Sequence, residues 1–303
     1  MAHGTPASLD EMPEYLRLVR GGRPPSPELI AEMRQNYAAI GGRSPLTEIS
    51  EAQGRALQAL LGEKGIPALV VVGMRNWHPF IAEVVRELVD AQVTRVFGIP
   101  LAPQYSSLSV QKYMDAAQAA LPSTARFSCL ESFHDHPLLI QAFAERVGEA
   151  PPRADEDVVF TAHSLPVRVI ENGDPYSTEV ARTAAFVATA SGVTRYQCAW
   201  QSAGRTPEPW LAPDLSDLIR DRSAAGTRAF LVVPVGFVCD HTEILFDIDV
   251  QAANAAKEVG VSFRRTASLN TSPTFIRALA DLVERELARH GGSEDLPRQI
   301  RDR

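Results

Sequence analysis

Apolar residues along the chain switch repeatedly between two spacings. Continuous runs rich in Val, Ile and Leu alternate with stretches whose apolar positions recur every three or four residues. The first spacing marks buried strands and the second marks one-sided helices. From residue 66 onward the alternation predicts a strand over 66–74, a helix over 78–91, a strand over 95–101, a helix over 109–121 and a short strand over 125–130. A helix over 137–147 follows. The segment 148–157, with Pro151, Pro152 and an acidic patch, reads as a linker. The pattern then repeats. Strands are expected over 158–161, 195–200, 228–235 and 261–264, and helices over 177–190, 214–225, 242–259 and 272–290. The first 62 residues read as mostly helical, broken at Gly21–Pro25 and Gly41–Pro45.

Apolar strands between amphipathic helices predict an α/β fold with parallel sheets covered on both faces. A faint internal echo supports two similar halves. Val96-Phe-Gly-Ile-Pro-Leu101 is similar to Phe230-Leu-Val-Val-Pro-Val235, each run leading into a polar loop and a helix. The expected division is an N-terminal half over 1–135, joined by the helix at 272–290, a C-terminal half over 136–271, and a flexible tail over 291–303. Met1-Ala-His-Gly-Thr-Pro6 reads as the loop after a strand, although no strand precedes it. Either the first sheet lacks its opening strand, or the true start lies upstream.

The 303 residues, 45% of them hydrophobic, supply enough apolar surface for two cores. The net charge is −7 and no basic run marks a nucleic-acid surface. Cys129, Cys198 and Cys239 are odd in number and far apart, which fits neither a disulfide framework nor a Cys-x-x-Cys site. A reducing cytoplasm is the expected setting. There is no signal pattern and no apolar stretch near the roughly 20 residues that span a bilayer. A soluble protein is therefore expected.

Candidate chemistry gathers at strand ends, where parallel α/β sheets bind their ligands. Val158–Ala162 leads to His163 and then Ser-Leu-Pro166. Phe230–Val235 leads through Gly236 to Asp240-His-Thr-Glu243. His163 either ligates a divalent metal or accepts a proton near neutral pH; its bland reading is a histidine that closes a strand. Glu243 has a strong structural reading as the third residue of a capping box led by Asp240. Its functional reading rests on Asp247, four residues on, which puts both carboxylates on one helix face. Gln251 continues that line. Trp77 reads as a packing or pocket-wall residue. The loops at 103–109 and 201–211 offer hydroxyls and indoles for a small-molecule pocket. Gly-x-Gly-x-x-Gly, a phosphate loop and Gly-x-Ser-x-Gly are all absent, which disfavours nucleotide chemistry and serine hydrolysis.

These motifs, taken together and in order, resemble the ferrochelatase family, which inserts ferrous iron into a tetrapyrrole. The matching stretches are Ile40-Gly-Gly-Arg-Ser-Pro-Leu46, Ala102-Pro-Gln-Tyr-Ser-Ser107, Thr161-Ala-His-Ser-Leu-Pro166, Gly173-Asp-Pro-Tyr176 and Pro234–Glu243. The phrases Gln201–Leu211, Ala2–Pro6 and Ser109–Tyr113 are similar to the soluble bacterial branch that metallates coproporphyrin III. The resemblance implies two similar Rossmann-like, chelatase-type halves with a cleft between them. It implies that His163 and Glu243 bind the metal and manage the pyrrole protons. It also implies that His3, Arg20, Asn36, Tyr37, Ser44 and Tyr113 contact the porphyrin, with Arg20 and the loop hydroxyls gripping its propionates.

Three positions depart from the branch. His3 stands where a tyrosine is common on the other porphyrin face. Asn36 replaces an arginine and so loses one charge-assisted hydrogen bond to a propionate. Gln251 replaces a carboxylate of an outer metal site. The resemblance further implies a monomer that takes porphyrin and Fe2+ as substrates, with no tightly bound cofactor and no iron–sulfur cluster. Rival expectations are a protoporphyrin IX ferrochelatase, another tetrapyrrole metal chelatase, and a non-catalytic tetrapyrrole-binding protein.

Overall fold

The computed structural model describes residues 1–122 and 125–289. The expected tail over 291–303 and the end of the last expected helix lie outside the described residues. The chain opens with helices α1 (Met12–Val19), α2 (Pro27–Ala39) and α3 (Leu46–Glu63). Pro13 and Pro27 sit in first turns, where a missing N–H costs nothing, and the Ser26 hydroxyl accepts the Leu29 N–H to cap α2. Helix α4 (Ile81–Asp90) turns Val84, Val85 and Leu88 inward, and Glu83 reaches back to the Phe80 N–H at 2.8 Å. Strand β1 (Arg95–Gly98), helix α5 (Val110–Ala120), strand β2 (Arg126–Cys129) and helix α6 (Pro137–Glu149) complete this part.

The second part carries β3 (Glu156–His163), α7 (Val167–Glu171), α8 (Tyr176–Ser191), β4 (Tyr196–Gln201), α9 (Leu215–Ala224) and β5 (Ala229–Pro234). After β5 come α10 (Thr242–Leu245), a π-helical turn (Asp247–Ala252), α11 (Ala253–Glu258), β6 (Ser262–Arg265) and α12 (Pro273–Arg289). Its strands form one parallel sheet in the order β4-β3-β5-β6, while β1 and β2 form a separate parallel pair. All six residues of β5 are buried, as a central strand covered by helices on both faces requires. One core joins Phe160, Leu231 and Val233 to α6, α8 and α12. A second, on the opposite face, joins Val159, Phe230 and Val232 to Ile219 and Ile248. Helix α12 lies against α3 and α6.

Three expectations need correction. Residues 66–73 form no ladder; only Met74 pairs, with Ala2 and Phe80. A β-like run becomes a strand only with a neighbour at about 4.8 Å, and Met1–Ala2 alone lie alongside. The helix expected over 242–259 is broken into three, because the Gln251 N–H reaches back five residues to Phe246 O at 2.8 Å. Such π turns widen a helix and recur at functional sites. Finally, His163 is the last residue of β3, paired with Gln201, rather than a residue beyond it.

Candidate active site

The site is built at the carboxyl ends of β3 and β5, which are neighbours in the sheet. A close approach sets it up. A Cβ on Gly236 would meet Ala162 Cβ at 2.5 Å, so only glycine lets the chain leaving β5 press against β3. That loop then delivers α10 beside His163. The Nε2 of His163 lies 3.6 Å from Oε1 of Glu243, and their side chains are 30% and 37% exposed. The pair is therefore open to a substrate.

The tautomer of His163 follows from its other nitrogen. Nδ1 lies against the carbonyl of Ser164, which can only accept, so Nδ1 carries the hydrogen. Nε2 is left as the nitrogen that faces Glu243. A gap of 3.6 Å is too long for a hydrogen bond. His163 and Glu243 would instead be able to hold a divalent metal ion between them, with metal–ligand bonds of about 2.1 Å. Nε2 is also the nitrogen through which the ring would exchange a proton.

The capping-box reading of Glu243 fails. The cap residue of α10 is His241. The carboxylate of Asp240 is taken instead by Arg265 at 3.1 Å, Ser268 at 2.7 Å and Asn270 at 2.8 Å. Glu243 is thereby free of a structural duty, while the Gln201 side-chain amide donates to its backbone carbonyl. Burial pushes the Glu243 carboxyl up, yet the imidazoles of His163, His241 and His3 outweigh it and hold the group below the usual glutamate range. Glu243 faces an open edge, but protein surrounds it closely enough for this desolvation to be felt.

Asp247 behaves in the opposite way. Burial raises its pKa to about 7, with the Glu243 charge adding to the rise against a hydrogen bond from Ser202. Ser202 holds φ at +62°, a left-handed backbone that aims its hydroxyl there. A raised acid binds more protons folded than unfolded between its unfolded pKa of 3.8 and about 7. Stability must fall as pH rises through that window. Asp247→Asn is expected to flatten this fall, read as unfolding free energy in urea from pH 4 to pH 8; an unchanged slope would sink the assignment.

Several expected porphyrin contacts come together around the pair. Burial lowers the pKa of His3 to about 4, with Arg75, His241 and His163 lowering it further and Glu243 opposing. Its ring nitrogens lie 3.2 and 3.3 Å from Asn76 Nδ2, and its carbonyl accepts the Asn76 N–H. Gly4, at φ +88°, lets this opening segment pass against Met74 and Trp77. Tyr37 is buried, with its hydroxyl 2.8 Å from Thr5 Oγ1. Tyr113 is buried beside Ile81, Val85 and Ala117. Burial, and the nearby Glu243 charge, raise the pKa of both tyrosines. Trp77 packs against Tyr15 as a wall residue, with ring centroids 6.1 Å apart.

The remaining expected contacts are less committed. Arg20 is exposed at the end of α1 and makes no ion pair among the described residues. Asn36 is half-buried on α2, beside Tyr37. Ser44 is buried and accepts the Leu46 N–H at 3.4 Å. Gln251 is exposed.

The loop hydroxyls already have partners within the protein. The hydroxyls of Ser106 and Ser107 donate to Asp174 at 3.1 and 2.8 Å, and Tyr105 donates to Gln111 at 2.9 Å. Ser106 and Ser107 thereby tie the 103–107 loop to the Gly173–Tyr176 loop.

Four residues escaped the sequence reading: Tyr15, Arg75, Tyr176 and His241. Tyr15 and Tyr176 are buried, and Glu243 helps to raise their pKa after burial itself. His241 is half-buried, with Nδ1 unpartnered, next to the Phe237 ring. Arg75 donates to Leu108 O at 2.9 Å and makes no ion pair among the described residues. His241 carried a signal in its place inside Asp240–Glu243, and Tyr176 in its place at the end of Gly173–Tyr176. No group of three or more His, Cys, Asp or Glu side chains among the described residues has the arrangement of a metal cage.

A parallel α/β sheet with one histidine and one carboxylate at adjacent strand ends defines an open chelatase-type site. The likeness extends to solved structures. SirB from Bacillus subtilis with Fe3+ matches at TM-score 0.52 and 13% identity, over 80% of this chain and 93% of that one, which shows a shared fold. The ferrochelatase family model matches residues 1–287. A ferrochelatase of Deinococcus radiodurans is 44% identical over 299 residues, covering 95% of each chain. A coproporphyrin III ferrochelatase of Anoxybacillus flavithermus is 38% identical over 304 residues, covering 97% of this chain and 96% of its own. The chain belongs to the ferrochelatase family, whose reaction is the insertion of iron into a porphyrin. No helix among the described residues is long and apolar enough to cross a membrane.

Proposed function

We propose that this protein inserts ferrous iron into coproporphyrin III, with His163 and Glu243 as the reacting pair. The observation that carries the reading is the Nε2 of His163 facing a carboxylate across 3.6 Å. A free-base porphyrin must lose two N–H protons before metal enters. Binding energy from its side groups holds the ring in a distorted shape that exposes nitrogen lone pairs. His163 takes a pyrrole proton or holds iron in transit. Glu243, whose pKa is held below the usual glutamate range, ligates iron or passes the proton on. One histidine and one carboxylate bind iron weakly enough to release it, unlike a closed four-ligand cage.

Coproporphyrin III carries four propionates where protoporphyrin IX carries two. Arg20 and Arg75 are cations without an ion pair among the described residues, which supports a ring rich in carboxylates. Tyr37, Ser44, Tyr113 and Asn36 line the same region in this reading. Arg20→Ala is expected to weaken coproporphyrin III binding about tenfold with kcat little changed. Fluorescence titration checks it; unchanged affinity removes Arg20 from the grip.

His3 takes the face opposite His163. Its lowered pKa keeps the imidazole neutral and able to ligate at neutral pH. His3→Ala should shift the absorption spectrum of bound iron coproporphyrin, and an identical spectrum would rule it out as an axial ligand. The working unit in this account is a cytoplasmic monomer, a setting that the three free cysteines support.

A further inference from the structure

The segment that carries Glu243 into the site is held from a distant helix. Residues 235–241 join β5 to α10, and Val238 and Cys239 within them are buried. Buried carbonyls need donors, and a connecting segment has few ladder partners to supply them. Gln53 on α3 is 1% exposed and stands 185 residues before Val238 in the chain. Its Nε2 donates to Val238 O at 3.3 Å and to Asn270 O at 2.9 Å. An amide nitrogen has two hydrogens and so can serve both carbonyls; an ionised glutamate of the same length would offer none.

Asn270 grips the same segment from its other side. Its backbone N–H donates to Val238 O at 3.0 Å, and its Nδ2 donates to Asp240 Oδ2 at 2.8 Å. Its Oδ1 accepts the Asp240 N–H at 2.9 Å. Asn270 holds φ at +46°, a left-handed backbone that asparagine adopts more readily than most residues. It stands just before α12, which packs against α3. Gln53, Asn270 and Asp240 thus form one chain of contacts from α3 to the start of α10. Only His241 and Thr242 separate Asp240 from Glu243. The side-chain donors of Gln53 and Asn270 go to this segment and to each other, so neither residue is spent on His163 or Glu243 directly.

We propose that Gln53 is a positioning residue for metal insertion: through Asn270 and Asp240 it sets the Glu243 carboxylate at its working distance from His163. The inference rests on Glu243 being one of the reacting pair. The carboxylate faces Nε2 of His163 across 3.6 Å, a gap that a shift of the 238–240 backbone would change. Reacting groups tolerate little displacement, and about 1 Å can cost about a hundredfold in rate. Gln53 acts at one remove from that carboxylate, so a smaller loss is expected from its removal than from the loss of Glu243 itself.

The test is a double-mutant cycle on the full chain. Gln53→Met keeps the length of the side chain and removes both donors. It is expected to lower kcat for iron insertion into coproporphyrin III by about tenfold while the porphyrin Kd stays unchanged. In a Glu243→Gln background, followed by single-turnover assays, the same substitution should cost less than about twofold more. Asn270→Gly is the second variant: it keeps the backbone conformation and the carbonyl that Gln53 binds, but removes both side-chain bonds to Asp240. It should give the same loss of kcat and the same lack of additivity, and it carries the test if Gln53→Met does not fold. An equal loss in both backgrounds overturns the proposal. So does a lowered Tm with kcat unchanged, the result expected of a residue that serves stability alone. Near-normal turnover of Glu243→Gln by itself overturns the assignment of Glu243 and this role with it, whereas a large loss there with additive effects overturns this role only.

Discussion

Replacing His163 with alanine is expected to abolish metal insertion while porphyrin still binds. The imidazole sits at the end of β3 with its Nδ1 hydrogen committed to the Ser164 carbonyl. Its Nε2 is the nitrogen that faces Glu243. Alanine removes both the proton acceptor and the iron ligand, so a loss of about 10²–10⁴ in kcat follows from acid–base catalysis alone. The fold should survive, because the ring is 30% exposed and fills no core cavity. Steady-state turnover and a porphyrin binding titration, run on the same preparation, separate the two effects. Near-normal turnover would remove His163 from the chemistry, and loss of porphyrin binding would make it a grip residue instead.

The second large effect is expected from Glu243→Gln. The substitution keeps the shape, and the hydrogen bond from Gln201 goes to the backbone carbonyl, which is untouched. Only the charge is removed. Turnover should fall by about 10²–10⁴ with porphyrin affinity nearly unchanged, because the carboxylate acts on the metal or the proton rather than the ring. A stability signature accompanies it. The folded pKa of Glu243 is held below the ordinary value, so its contribution is present above the unfolded pKa and is lost as pH falls through the folded pKa. Acid should therefore destabilise the parent protein more steeply than Glu243→Gln, as read by unfolding titrations across the acidic range. Equal slopes together with normal turnover would return Glu243 to the role of a solvated helix residue.

Most of the secondary structure was legible because the parallel strands are covered on both faces. Phe230–Val233 and Val158–Ala162 read as continuous apolar runs for that reason. His163 and Glu243 stood out because each follows such a run. What could not be read was pairing over long distance. Nothing local in Asp240–Glu243 says that Arg265, Ser268 and Asn270 claim the Asp240 carboxylate, yet that claim decides whether Glu243 is a cap. The same holds for Ser106 and Ser107, whose partner Asp174 is 68 and 67 residues away. The π turn at Asp247–Ala252 has no sequence period of its own, so an unbroken helix was expected there. The run at 66–74 failed for another reason: strand propensity describes a segment, while a ladder also needs a neighbour. Tyr15 was hidden because a buried tyrosine at helical spacing looks like core.

The central claim is best tested by measuring iron insertion with coproporphyrin III and protoporphyrin IX side by side, under one set of anaerobic conditions. The account predicts turnover of both rings, with kcat/KM for coproporphyrin III higher by about tenfold or more, the worth of one additional charge-assisted contact. Equal or greater kcat/KM for protoporphyrin IX would contradict the substrate assignment, and no insertion into either ring would contradict the site itself.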